Sequence, residues 1–463
     1  MHKPMDKEIN RREFLKKAGA GALAISLAGC AATGKKKEEE DLHSEMAGIE
    51  GQMPLRDNPK TGDKVSLLGY GCMRWKMKDD PENPGRQIVD QDNVNELVDY
   101  AYKHGVNYYD PSPAYLQGQS EKAAGIALSR YPRKSLYIAT KLSNFMISDR
   151  EATLKMYHDS FDQLQTDYFD YYLLHGIGMG GWEAFQSRYV DNGIMDFLLK
   201  EREAGRIRNL GFSFHGNQES FDKFLALHDQ YHWDFVQIEM NYMDWKHADN
   251  RRNVNADYLY AELDKREIPI TVMEPLLGGR LANPPESVAN QMKEREPDKS
   301  LASWAFRFVG THPRVLTALS GMTNMDDLKD NLDTFLNFKP LTDEELDFLE
   351  SMATIIASFP TVNCTGCRYC MPCPYGVDIP ANFAHYNSMV NGGVIARSKE
   401  QEDFNKLRRK YLISYDKAVD PLRQGSHCIG CGQCMPHCPQ SIPIPRELHR
   451  IEAYVEKLKR RSL

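Results

Sequence analysis

Between residues 62 and 340 short apolar runs alternate with amphipathic stretches at a period of roughly 35 residues, the spacing of repeated βα units. Runs rich in β-branched and aromatic residues read as strands at 65–69, 108–111, 136–141, 169–175, 209–214, 235–241, 270–275 and 315–320. Stretches with helical periodicity lie between them, for example 93–104, 120–129, 151–165, 195–203 and 325–335. Eight such units closing on themselves predict a (β/α)8 TIM barrel over residues 61–340, an α/β fold whose chemistry sits where strands end and loops begin. Hydrophobic residues are 41% of the 463, enough to fill such a core. A mean hydropathy of -0.57 excludes a polytopic membrane protein. The net charge of -7 offers no broad positive field for phosphates, so nucleic acid is not an expected partner and a small ligand is.

Residues at strand C-termini are therefore the ones to weigh. Asp110 closes Asn107-Tyr-Tyr-Asp110, with Tyr115 in the loop that follows; Lys141 closes Tyr137-Ile-Ala-Thr-Lys141; His175 closes Asp170-Tyr-Tyr-Leu-Leu-His175. A lysine and an aspartate ending apolar strands are tolerated when they pair. Lys141 beside Tyr115 is expected to lower the phenol pKa from about 10, with Asp110 holding Lys141 charged. His175 would orient a carbonyl oxygen, and Tyr115 would give its proton to the developing alkoxide while hydride reaches carbon. Alone, His175 reads as a core histidine and Tyr115 as one of 23 tyrosines; their order and strand-end placement carry the catalytic reading. His215, His232 and His312 read as structural or surface residues, and Cys72 as a buried thiol.

On these residues the chain resembles the aldo/keto reductase family, and the resemblance spans the barrel. It implies that the family's Asp, Tyr, Lys, His tetrad falls on Asp110, Tyr115, Lys141 and His175. Further features follow in order: Gly211-Phe-Ser213, Gln237 with Glu239 and Asn241, Glu274-Pro275-Leu276 with Gly278-Gly279-Arg280, and Ser320-Gly321-Met322-Thr323 leading to Leu328 and Asp330-Asn331. By resemblance, NAD(P)(H) would be held by Ser213, Gln237, Leu276, Gly278, Ser320, Gly321 and Asn331. Two departures stand out. Phe214-His215-Gly216 follows Ser213 where many relatives have Asn, which removes one carboxamide contact. Gly321-Met-Thr-Asn-Met325 carries no basic residue to grip the 2'-phosphate of NADP, leaving Arg280 as the candidate substitute.

Eight of the ten cysteines fall in the last quarter, as Cys364-x2-Cys367-x2-Cys370-x2-Cys373-Pro and Cys428-x2-Cys431-x2-Cys434-x3-Cys438-Pro. Structural zinc would leave the third cysteine of each run surplus, and cysteines three apart in a row cannot all pair locally as disulfides without strain. The second run resembles the bacterial ferredoxin signature, which implies two 4Fe-4S clusters with crossed fourth ligands. One would take Cys364, Cys367, Cys370 and Cys438, the other Cys428, Cys431, Cys434 and Cys373; the first run departs from the usual spacing by one residue before Cys373. Gly366 and Gly430 would let the backbone curl around the sulfides. Thr342-Asp-Glu-Glu345 opens a helix over 341–356 with a capping-box pattern, and helical patterns at 382–390 and 399–411 separate the two runs. The region 341–463 is thus expected to be a linking helix and a mainly α-helical ferredoxin-type domain.

The N-terminus reads as an export address. Arg11-Arg12-Glu13-Phe14-Leu15-Lys16 is a twin-arginine motif, residues 18–29 form an apolar run too short to span a bilayer, and Leu27-Ala28-Gly29-Cys30 matches a lipobox. Resemblance to bacterial lipoproteins implies a signal over 1–30, diacylation of Cys30, a tether over 31–60 and a place at the periplasmic or outer face of a membrane. The competing reading is an apolar cytosolic helix. Together these features predict an exported oxidoreductase that interconverts a small carbonyl and an alcohol, accompanied by electron transfer through two clusters. Because hydride moves two electrons and a cluster moves one, a redox partner protein or a flavin is expected between them. The alternative is an iron-sulfur electron-transfer subunit with an idle barrel, which the intact tetrad disfavours.

Overall fold

The computed structural model describes residues 51–145, 147–248 and 253–463; the twin-arginine motif, the lipobox with Cys30 and the tether as far as residue 50 lie outside the described residues. Eight strands form a closed parallel barrel: β1 (Leu68–Gly71), β2 (Tyr108–Asp110), β3 (Tyr137–Leu142), β4 (Phe169–Ile177), β5 (Ile207–Phe214), β6 (Phe235–Glu239), β7 (Ile270–Met273) and β8 (Val315–Ser320). They pair in chain order and β8 closes on β1, with Ser320 opposite Tyr70. Every residue of β4 is buried, as expected of a strand covered by side chains on one face and helices on the other. Some helices between strands start at a side-chain cap: Asp149 accepts from Ala152 N ahead of Arg150–Leu164, and Asn324 accepts from Asp327 N ahead of Met325–Leu336.

The barrel interior is filled by a layer that includes Tyr108, Ala139, Tyr171, Leu173, Phe235 and Leu316. Val65 packs into this layer from below, which corrects the expectation that it begins the first barrel strand. It lies in an antiparallel hairpin, Leu55–Asp57 with Lys64–Ser66, that closes the floor, and β1 begins at Leu68. At the other end β7 stops at Met273, short of residue 275, because Glu274 takes a left-handed conformation with φ of 55° and turns the chain out of the sheet.

Thr342 and Glu345 form the reciprocal capping box that opens the helix Asp343–Ala357. Beyond it, helices Ile379–Asn391, Phe404–Ala418 and Ile444–Arg460 pack around Phe383, Tyr411, Tyr415, Ile451 and Val455, and the cysteine loops sit against this small core. The first of these helices begins three residues before the predicted 382 because Asp378 caps it by accepting from Ala381 N. Among the described residues no helix is long and apolar enough to cross a membrane.

The helix Ser120–Leu128 presses Glu121 against β3, where Thr140 Oγ1 donates to Glu121 Oε1 at 2.5 Å. Burial pushes this carboxyl up to about 7 from an ordinary 4.5. The folded state therefore holds a proton that the unfolded state releases, and stability falls as pH rises from about 4.5 through 7. Glu121→Gln keeps the shape and removes the titration. Scanning calorimetry should find that it raises Tm by at least about 2 °C more near pH 8.5 than near pH 5.

Candidate active site

Asp110, at the end of β2, and Lys141, in β3, form an ion pair shut off from solvent. Lys141 Nζ also donates to Pro111 O at 3.2 Å, and Gln237 Nε2 approaches Asp110 Oδ2 at 3.4 Å. Tyr115 opens a tight turn in which Leu116 and Gln117 both adopt positive φ, a conformation that aims its ring back into the barrel mouth. Lys141 Nζ lies 4.9 Å from the centroid of that ring, and His175 meets the ring edge-on at 5.7 Å. The four residues of the expected tetrad are thus brought together.

Their electrostatics differ in one respect from the expectation. Burial and the negative charge of Asp110 hold the Tyr115 phenol well above its ordinary value. Lys141 does not offset this, because its ammonium is spent on Asp110 and faces the ring of Tyr115. His175 is held well below its ordinary value by burial and by the charge of Lys141, so it is neutral at neutral pH. A hydroxyl chain lies behind it: Ala114 N donates to Ser112 Oγ at 3.1 Å, Ser112 Oγ lies 2.9 Å from Ser143 Oγ, and Ser143 Oγ lies 2.6 Å from His175 Nδ1. Hydroxyls donating along this chain toward Nδ1 would place the ring proton on Nε2, facing the cavity.

A cleft of about 460 Å³ runs from Asp110, Tyr115 and His175 past Gln237, Leu276 and Gly278 to Ser320, Gly321 and Asn331. Of the residues expected to hold a nucleotide, Ser213 alone is absent from its lining; its Oγ accepts from Gly176 N at 2.8 Å beneath the mouth. Asn331 Nδ2 donates to Ser320 Oγ at 2.9 Å, and Asp327 and Asp330 bring carboxylates to the same end. Arg280 does not point there. It donates to Thr361 Oγ1 at 2.8 Å and Asn363 Oδ1 at 3.1 Å, so it ties the barrel to the cysteine domain. His215, expected to be structural or superficial, lines the cleft, and burial pushes it down to about 4. His312 is structural, packed on Trp245 with ring centroids 4.6 Å apart.

The cysteines fall into two sets that each surround a volume. Cys364, Cys367, Cys370 and Cys438 line one cavity, and their sulfurs are close enough to raise one another's pKa. Cys373, Cys428, Cys431 and Cys434 line a second cavity, and Cys434 senses the other three. The crossed sets expected from the ferredoxin resemblance are therefore adjacent in space despite the short spacing before Cys373. Gly366 and Gly430 have φ of 67° and 77°, which allows the curl, and Gly366 N and Ile442 N each donate to a sulfur of the first set at 3.4 Å. Thiolates arranged around a cavity with amide donors to sulfur fit a multi-atom cluster. Among the described residues no group of His, Cys, Asp or Glu converges tightly enough to hold one metal ion.

The cysteine domain covers the barrel mouth. Arg74, in the loop after β1, donates to Thr365 O at 2.6 Å and Gly366 O at 3.2 Å. Gly278 lies so close to Thr365 that a Cβ would meet its carbonyl oxygen at 2.4 Å. Gln440 Nε2 donates to both oxygens of Glu239 at 2.9 Å; burial and the nearby Asp244 and Glu274 hold Glu239 well above the ordinary carboxylate range. Tyr369, between Cys367 and Cys370, reaches into the mouth, with its hydroxyl 3.3 Å from His175 Nε2 and its ring centroid 5.4 Å from that of Phe145. Sequence reasoning missed Tyr369, Arg74, Gln440 and the two serines, because no local pattern marks a residue whose partner comes from a distant segment.

A model described as "Aldo/keto reductase family" matches residues 67–354, and one described as "4Fe-4S dicluster domain" matches residues 363–443. The chain belongs to the aldo/keto reductase family and carries a 4Fe-4S dicluster domain behind its barrel. Among curated relatives, "Protein tas" of Escherichia coli is 26% identical over 332 residues, covering 60% of this chain and 91% of that protein. "L-galactose dehydrogenase" of Arabidopsis thaliana is 28% identical over 167 residues, covering 35% of this chain and only 49% of that relative, about half its length. Among solved structures, aldo-keto reductase AKR11C1 from Bacillus halodurans aligns with a TM-score of 0.51 at 21% identity, over 65% of this chain and 96% of that one. An aldo/keto reductase from Klebsiella pneumoniae in complex with NADP and acetate aligns with a TM-score of 0.50 at 20% identity, over 65% and 95% respectively. These structural likenesses show the barrel fold.

The Gly278 contact yields a test of how the two parts dock. Gly278→Ala places a methyl group against the Thr365 backbone at a position with φ of 67°, at a cost on the order of 1–3 kcal/mol. Limited proteolysis should cut the 358–379 segment faster in this variant than in the parent protein.

Proposed function

We propose that this chain is an oxidoreductase that interconverts a small carbonyl and an alcohol with a nicotinamide dinucleotide, in electronic contact with two 4Fe-4S clusters. The observation that carries the reading is one cleft that holds Tyr115 and His175 at one end, the Ser320 and Asn331 loop at the other, and Cys367 in its wall. A dinucleotide bound along it would supply or accept the hydride, and clusters held by the two cysteine sets would carry single electrons. His175, neutral and protonated on Nε2, would donate to the substrate oxygen, and Tyr115 would pass its proton to that oxygen as charge develops. Asp110 holds Lys141 in place beneath the ring of Tyr115, a positioning role. The Klebsiella structure is a complex with NADP, which supports a dinucleotide here as well. Tyr115→Phe should lower aldehyde reduction at least about a hundredfold, with the visible cluster absorbance unchanged; unaltered turnover would refute the assignment.

The cleft favours NAD over NADP. Asp327 and Asp330 bring negative charge to the end where the adenosine ribose would lie, and Arg280 is turned away to Thr361. A carboxylate there accepts from a ribose hydroxyl and repels a 2'-phosphate. Fluorescence titration should find NADH bound at least about tenfold more tightly than NADPH, and Asp327→Asn should narrow the gap.

The twin-arginine motif and lipobox support export with a lipid on Cys30, which would bring the enzyme to a membrane face and to an external redox partner. Mass spectrometry of protein extracted from membranes should find Cys30 acylated at a new N-terminus; full-length unmodified protein would reject export.

A further inference from the structure

Tyr369 stands where a substrate should. Under the function proposed above, the substrate oxygen sits between the Tyr115 hydroxyl and His175 Nε2, the two proton-bearing groups at the mouth. The phenol oxygen of Tyr369 is 3.3 Å from that nitrogen and within reach of the Tyr115 hydroxyl. Its ring leans on Phe145 and meets His175 edge-on at 6.1 Å. The placement is built in by the loop. Arg368 adopts φ of 66°, which turns the next side chain toward the barrel, and Arg74 pins Thr365 and Gly366 just upstream. Cys367 and Cys370, both of the inner cysteine set, flank Tyr369 on either side.

The Tyr115 hydroxyl and His175 Nε2 converge on one point that accommodates one oxygen atom, and in this structure that oxygen is the Tyr369 hydroxyl of the cysteine domain. We propose that Tyr369 is a resident occupant of the substrate-oxygen position, a built-in competitor that the substrate must displace before reaction. The inference rests on the carbonyl-reduction reading, since that reading defines the position. It adds that the 4Fe-4S domain controls entry to the barrel: the tyrosine is fixed by neighbours that hold the inner cluster, so a shift of that loop opens the site.

The test uses the cluster-loaded full chain and benzoate, a small oxyanion that two convergent donors bind without any turnover. Tyr369→Phe keeps the ring and loses the competing oxygen. Isothermal titration should show benzoate binding about tenfold more tightly to this variant than to the parent, the worth of roughly one hydrogen bond no longer displaced. The gain should vanish when His175→Ala is added, which locates it at the mouth. In steady-state reduction of benzaldehyde, KM should fall by a similar factor while kcat holds. Equal benzoate affinity in parent and variant overturns the proposal, as does a fall in kcat at constant KM, which would make the phenol a proton donor. If the parent reduces no aldehyde, the functional reading fails, while the benzoate titration still decides whether the phenol occupies the site.

Discussion

Lys141 and Asp110 are both closed off from water, and each is tolerable only because of the other. A lone charge at that depth would cost several kcal/mol, and removing one partner of such a pair costs about 3–5 kcal/mol because the other is left buried and unmatched. The pair fixes the barrel mouth. Gln237 reaches Asp110 from β6, Pro111 offers Lys141 its carbonyl, and the ring of Tyr115 lies over the ammonium, so three strands and a loop are registered on one salt bridge. The same charge helps to keep His175 neutral. A neutral imidazole with its proton outward is the form that can donate to an oxygen, and the serine chain behind it offers the donor to Nδ1 that this tautomer needs.

The second organising fact is what lies on top. An open barrel mouth would leave the cleft facing water; here a loop between two cysteine ligands closes it, held by Arg74, by the bare backbone of Gly278 and by the Glu239–Gln440 contact. Glu239 sits with Asp244 and Glu274 in a cluster whose like charges and burial favour the protonated forms, so the interface does not carry the full cost of three carboxylates. Because Cys367 lines the cleft and Cys431 is exposed at the other set, the two cysteine cavities lead from the barrel mouth toward the surface.

Much of this was legible in the chain itself. The strands were found within two or three residues because β propensity and burial agree along each run, and the exceptions have local causes: Val65 serves the floor hairpin, and Glu274 turns with positive φ. The four residues now seen together at the mouth were singled out because charged and polar residues at the ends of apolar strands are rare without purpose. Two expectations about roles did not hold. Lys141 was expected to depress Tyr115, but an ammonium already paired to a nearer carboxylate has little field left for a phenol. Arg280 was a candidate for a 2'-phosphate, yet its guanidinium finds Thr361 and Asn363 first.

Spacing and periodicity alone determined the eight-fold barrel, the four residues at its mouth and the eight cysteines in two runs, because each depends on neighbours close in sequence. The tertiary structure decided what depends on long-range contact: that Ser143, just past the end of β3, meets His175 at the end of another strand, and that Tyr369 enters the barrel from 194 residues away. A side chain carries no mark of the distant surface it will meet. Its partner is chosen by how two separately folded parts close on each other, and that choice is made by shape and charge across the interface.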